Sequence, residues 1–154
     1  MRYARALLRD KSEAEDLVHD CIVRALANLS GWRDGDNPRK WLFTIMHNLH
    51  IDRIRSRARR PPHLPLHDWD EQPGASQQGP DVTRHEIDKA LASLPLEQRQ
   101  CVLLIGLEGV SYAEAAEILG VPVGTVMSRL SRGRESLRKS LDPAVERSNI
   151  RRIK

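Results

Sequence analysis

Between Gly124 and Arg134, hydroxyl and guanidinium side chains recur at helical spacing: Thr125, Ser128, Arg129, Ser131, Arg132 and Arg134, with Met127 among them. These are groups that a DNA major groove can use. Arginine donates in pairs to a guanine edge, and serine or threonine bonds phosphate or base. A helix carrying them needs a second helix to hold it, and the preceding residues supply one. Ser111 and Glu114 form a capping box, and Tyr112, Ala115, Ala116 and Leu119 then line one face of a short helix. Gly120-Val121-Pro122 turns the chain, and Ala116 is small where two helices must cross. Val123, Val126, Leu130, Leu137 and Leu141 fall on the inner face of the longer helix, with Val126 locking the pair. The pattern is a helix-turn-helix whose second helix presents Thr125, Met127, Ser128, Arg129, Ser131 and Arg132 outward. An ordinary hairpin with a solvated basic face would explain the charges alone. It would not explain cap, turn, small crossing residue and basic front together.

A second basic cluster lies in the first half, where Arg53, Arg55, Arg57, Arg59 and Arg60 crowd one helix end. Phosphate contact is the chemistry such a cluster offers, giving affinity without sequence information. Its helix is expected to start at Pro38, capped by Asn37, and to run to about Arg57, burying Trp41 or Leu42, Ile45, Leu49 and Ile54. Gly31 to Asp36 reads as a loop. Trp32, Trp41 and Phe43 gather half of the chain's aromatic residues here, and aromatic walls beside cations can hold unstacked bases. Trp41 and Phe43 suit a core equally well. Upstream, Ser12 and Glu15 form a capping box for a helix to Leu29, with Ala14, Leu17, Val18, Cys21, Ala25 and Leu29 inward. Glu13, Asp16, Asp20 and Arg24 take the other side, and an acidic face is by default merely solvated.

The remaining sequence sets the frame. The 154 residues are 40% hydrophobic but only 4% aromatic, which suits small aliphatic cores. No strand pattern or internal repeat occurs, so the fold is expected to be all-α. Pro61 to about Val82 is rich in proline, glutamine, glycine and acids, and reads as a flexible linker. The expected organisation is a helical unit over 1–60, a linker over 61–83, a second unit over 84–142 and a basic tail over 143–154. In the second unit, Ile87, Leu91 and Leu94 mark one helix, and Pro95 starts another that reaches Leu107. The net charge of +4 favours an anionic partner. No apolar run is long enough to span a membrane. Cys21 and Cys101 lie outside any CxxC pair, which points to a reducing, cytoplasmic setting rather than a disulfide or zinc framework. His47 with His50, and His63 with His67, lie one turn apart without a third ligand. No metal, cofactor or catalytic constellation is expected.

The run LPLEQRQCVLLIGLEGVSYAEAAEILGVPVGTVMSRLSRGRESLRKSL, from Leu94 to Leu141, closely resembles region 4 of bacterial RNA polymerase sigma factors of the extracytoplasmic-function (ECF) group. AEDLVHDCIVRAL followed by RKWLFTIMHNLHIDRIRSRARR resembles region 2 of the same group. The resemblance covers roughly residues 3 to 141. It implies core RNA polymerase, promoter DNA and an anti-sigma factor as partners. Asp16 and Asp20 would dock on the clamp helices of the polymerase β′ subunit, with region 4 at the β flap. Trp32, Asn37, Arg39, Lys40 and Trp41 would capture the minus-10 element as a single strand, with Asn48, Arg53 and Arg55 along the same helix. Thr125, Met127, Ser128, Arg129, Ser131 and Arg132 would read the minus-35 duplex. The family also has a further region 2 helix ahead of RYARALLRD, most of which this sequence lacks. Met127 stands where lysine or arginine is common, and Gly133 where alanine is common. Glycine in mid-helix is expected to weaken the helix by roughly 0.5–1 kcal/mol. Two rival readings are a stand-alone helix-turn-helix regulator and a sigma mimic that titrates an anti-sigma factor. The first leaves the acidic face and aromatic segment unexplained; the second would not need the arginines of the reading helix.

Overall fold

The computed structural model describes residues 1–8, 10–29, 37–59 and 84–142. Trp32, the linker and the basic tail lie outside these. Among the described residues the chain is helical throughout: α1 (Arg2–Leu7), α2 (Lys11–Ala27), α3 (Pro38–Arg59), α4 (Arg84–Ser93), α5 (Leu96–Val102), a π-helical turn (Leu103–Leu107), α6 (Tyr112–Leu119) and α7 (Val123–Leu141).

Helix α2 begins earlier than the Ser12–Glu15 capping box requires. Its cap is Asp10, whose carboxylate accepts the Glu13 N–H at 2.7 Å. Ala14, Leu17, Cys21 and Ala25 are buried as expected, but Leu29 is exposed. Helix α3 is capped by Asn37, whose Oδ1 accepts from the Arg39 and Lys40 amides at 3.0 and 3.4 Å. The phase of α3 differs from the aliphatic reading. Phe43, Met46 and His50 are buried, Ile45 and Leu49 are only partly so, and Leu42 and Ile54 are exposed. Phe43 is core: its ring meets Tyr3 edge-on at 5.2 Å, and the Arg39 guanidinium lies 5.6 Å above it.

In the second unit the helix expected to reach Leu107 changes winding at Leu103. Glu108 N–H bonds the Leu103 carbonyl and Val110 N–H the Leu104 carbonyl, each at 3.0 Å. The wider turn buries both Leu103 and Leu104. Arg99 holds three carbonyls: Leu7 at 3.2 Å, Ala92 at 2.6 Å and Leu94 at 3.1 Å. It thereby ties the end of α4 to α1. No local sequence pattern points to this role, because the partners are carbonyls, which carry no side-chain signature.

The capping box of α6 forms in both directions, and Gly120 adopts φ 63°, the left-handed turn that glycine makes without strain. Tyr112 and Val123 turn out exposed, whereas Ala115, Ala116, Leu119, Val126 and Leu130 are buried. Gly133 is buried where α7 crosses α5. A Cβ there would stand 2.8 Å from Val102 Cγ2 and 3.4 Å from the Gln98 backbone carbonyl oxygen. The glycine therefore permits a close crossing, which offsets its cost to the helix.

Both units share one hydrophobic core, in which Tyr3, Leu7 and Phe43 join Cys101, Leu103 and Leu104. Helix α3 lies along α6, and α1 along the π turn.

Candidate nucleic-acid interface

Helix α7 divides its polar residues between two sides. Met127, Ser128, Ser131 and Arg132 are exposed on the side away from the core. Thr125 is half-buried, and Arg129 turns inward to pair with Glu97 of α5 at 3.6 Å. Expected on the outward face, Arg129 instead braces α7 against its neighbour. Ser128 Oγ donates to the Thr125 carbonyl at 3.0 Å, a local bond that a phosphate or base can replace.

On α3, Trp41, Asn48 and Arg55 fall seven residues apart, two helical turns, and so share one side of the helix. Trp41 is half-buried; Asn48 and Arg55 are exposed. Arg53 points elsewhere, to Asp20 of α2 at 2.5 Å, and Arg57 similarly reaches Glu13 at 2.5 Å. One ion pair thus joins Asp20, expected at the polymerase, to Arg53, expected at DNA. Asp16 is exposed on the same helix. Beside it runs an exposed apolar strip outside the inward pattern, Ile22, Val23 and Leu26, with Leu26 63% exposed, and Leu29, expected inward, is exposed as well.

The start of α3 faces acids of the second unit. Arg39 Nη2 meets Glu108 Oε2 at 2.6 Å, and Arg2 Nε meets Oε1 of the same carboxylate at 3.2 Å. Lys40 Nζ meets Glu117 at 2.6 Å. Asn37 Nδ2 donates to Glu114 Oε1 at 2.7 Å, while Glu114 Oε2 closes the α6 capping box. Burial alone would push the Glu108 carboxyl up; hydrogen bonds and charge from Arg2 and Arg39 outweigh it and hold the group below the usual carboxylate range. Gln100 donates to His47 Nδ1 at 3.2 Å, since the amide nitrogen can only donate. Burial lowers the His47 pKa, keeping the ring neutral for that role. Among the described residues, no three metal-ligating side chains converge and no helix is long and apolar enough to cross a membrane.

Comparison with known proteins identifies the family. Residues 1–60 match the family description Sigma-70 region 2, and residues 84–137 match Sigma-70, region 4. The chain is 37% identical over 140 residues to the ECF RNA polymerase sigma factor EcfG of Rhodopseudomonas palustris, covering 88% of this chain and 75% of that one. Among solved structures, the sigma factor RpoE in complex with the anti-sigma factor NepR, from Bartonella quintana, superposes with a TM-score of 0.73 at 32% identity. That match covers 91% of this chain and 88% of the other. CnrH in complex with the cytosolic domain of CnrY superposes with a TM-score of 0.66 at 27% identity, over 91% and 78%. With both matched regions in order and exposed basic faces on α3 and α7, the chain belongs to the ECF group of RNA polymerase sigma factors.

Proposed function

We propose that this sigma factor grips promoters at two points, each on its own helix. Met127, Ser128, Ser131 and Arg132 of α7 enter the minus-35 major groove. Trp41, Asn48 and Arg55 of α3 run along the opened minus-10 strand, whose unstacked bases cost a few kcal/mol each to hold. Asn37, Arg39 and Lys40 meet that strand's backbone at the helix start. The carrying observation is that the two basic faces sit on separate helices in separately matched regions. Arg53 is a positioning residue in this scheme, because its guanidinium is engaged by Asp20.

Core polymerase docks through Asp16 and the adjoining strip of Val23 and Leu26, an apolar centre with a charged rim. The work is binding rather than catalysis, and it is cytoplasmic because polymerase is. An anti-sigma factor is a further partner, since the sigma factor RpoE of matching fold was solved with the anti-sigma factor NepR. The exposed basic residues of α7 favour this reading over a titrating mimic. The deciding experiment is promoter-specific transcription by purified core polymerase with the full chain. Initiation that is sequence-specific and depends on the added chain is expected; none would sink the proposal. Asp16→Arg is expected to lower core affinity while leaving the helical content unchanged, and unaltered core binding would place the docking face elsewhere.

A further inference from the structure

One residue of the reading face does not match its neighbours chemically. Met127 is 53% exposed, while Ser128, Ser131 and Arg132 beside it are polar. Val126 and Leu130 already fill the inner face of α7, so the fold gains little from a solvated thioether there. Nor does Met127 stand alone. Tyr112, the first residue of α6, is 39% exposed, and both line an open groove of about 600 Å3. Leu130 contributes to its wall, and Ser131, Arg134 and Arg138 line the rest, with Glu135 paired to Arg138 at 3.1 Å.

An apolar spot bordered by guanidinium groups complements a thymine in duplex DNA. The C5 methyl is the apolar feature that the major groove displays, and phosphates flank it. Methionine has no donor for the guanine O6 and N7 acceptors. A guanine facing it would lose water without gaining a bond, which disfavours that base. We propose that Met127, backed by Tyr112, is a specificity-determining residue that reads a thymine methyl in the minus-35 element and rejects guanine there. The inference rests on α7 being the reading helix.

The test uses holoenzyme assembled from the full chain and core polymerase, with a duplex library randomised across both promoter elements. Retained duplexes are expected to share a thymine at one minus-35 position. Replacing that thymine by deoxyuridine, which lacks only the methyl, is expected to weaken wild-type binding about fourfold, the factor that one buried methyl carries. Met127→Ala is expected to bind the two duplexes equally, Met127→Leu to keep the difference, and Met127→Arg to move the preference toward guanine. Equal binding of thymine and deoxyuridine duplexes by the wild type overturns the inference while leaving α7 as the reading helix. A minus-10 preference without any minus-35 preference overturns both. Weaker core binding by Met127→Ala with base preferences intact would instead make the groove a polymerase contact and overturn the methyl reading.

Discussion

Arg129 and Arg132 lie within one turn of α7, yet the structure gives them different work. Arg132 is exposed on the side proposed to read DNA; Arg129 pairs inward with Glu97. Arg132→Ala is therefore expected to lower binding to a minus-35 duplex by roughly 1–3 kcal/mol, the worth of one good base contact. Arg129→Ala is expected to act first on thermal stability and to leave base preference unchanged. Duplex titration and melting of both variants check this, and a base-preference change confined to Arg129→Ala would reverse the assignment. The sequence makes the basic character of this helix legible but not its division. Both arginines belong to the same repeat, and only the position of Glu97 on α5 decides which one turns inward. Asn37 shows the opposite case. Its cap over Pro38 is legible because capping is local, whereas its bond to Glu114 is not.

Helices were legible wherever the signal was local. The Ser111–Glu114 box forms as read. Asp10–Glu13 offers the same spacing as Ser12–Glu15, and the structure uses Asp10. The phase of α3 was missed because apolar residues occur all around it, and it packs against both α2 and α6. An aliphatic count therefore selected Ile45 and Leu49, while the aromatic, sulfur and imidazole side chains of Phe43, Met46 and His50 are the buried ones. His50 makes this choice measurable. It is 5% exposed, and burial pushes its pKa down to about 4, helped by His47, Arg53, Arg57 and Arg99. The unfolded chain, with an ordinary histidine, takes up its proton near pH 6.5. Between those values the unfolded state binds more protons, so stability present above pH 6.5 is lost as pH falls toward 4. The loss is on the order of 2 kcal/mol by pH 5. His50→Leu is expected to flatten this part of the Tm–pH curve; a curve parallel to wild type would contradict it. On α7 the close crossing at Gly133 predicts that Gly133→Val lowers stability by about 1–3 kcal/mol through overpacking against Val102. Gly133→Ala sets a better helix former against the smaller of the two clashes with Val102, and is expected to stay within about 1 kcal/mol of wild type. Chemical denaturation separates the two.

At the scale of the whole molecule, the helix-start residues of the proposed minus-10 grip are held by the unit proposed to read minus-35. The arrangement brings together residues from distant parts of the chain, so no local pattern announces it. Arg39, Lys40 and Asn37 are held by Glu108, Glu117 and Glu114, and a strand phosphate would have to displace these carboxylates from the same donors. Opening therefore costs these contacts, those of Arg2 with Glu108, Arg99 with the Leu7 carbonyl and Gln100 with His47, and part of the shared core. Electrostatic contacts at this exposed edge weaken as salt rises. Glu108 is the hinge of the balance, because its carboxylate is 9% exposed and serves both Arg2 and Arg39. Its lowered pKa means that the stability it contributes is present above the ordinary carboxylate range and is lost as pH falls through the lowered value. Glu108→Lys replaces an attraction to two arginines by a repulsion. The variant is expected to show a larger radius of gyration in small-angle scattering at low salt, together with binding of a single-stranded minus-10 oligonucleotide at least about fivefold tighter, since Glu108 no longer competes for Arg39. Wild type in high salt is expected to expand in the same direction. A Glu108→Lys chain that stays folded, keeps the wild-type radius and binds the oligonucleotide no better would show that the shared core, not the carboxylate, holds the start of the grip in place.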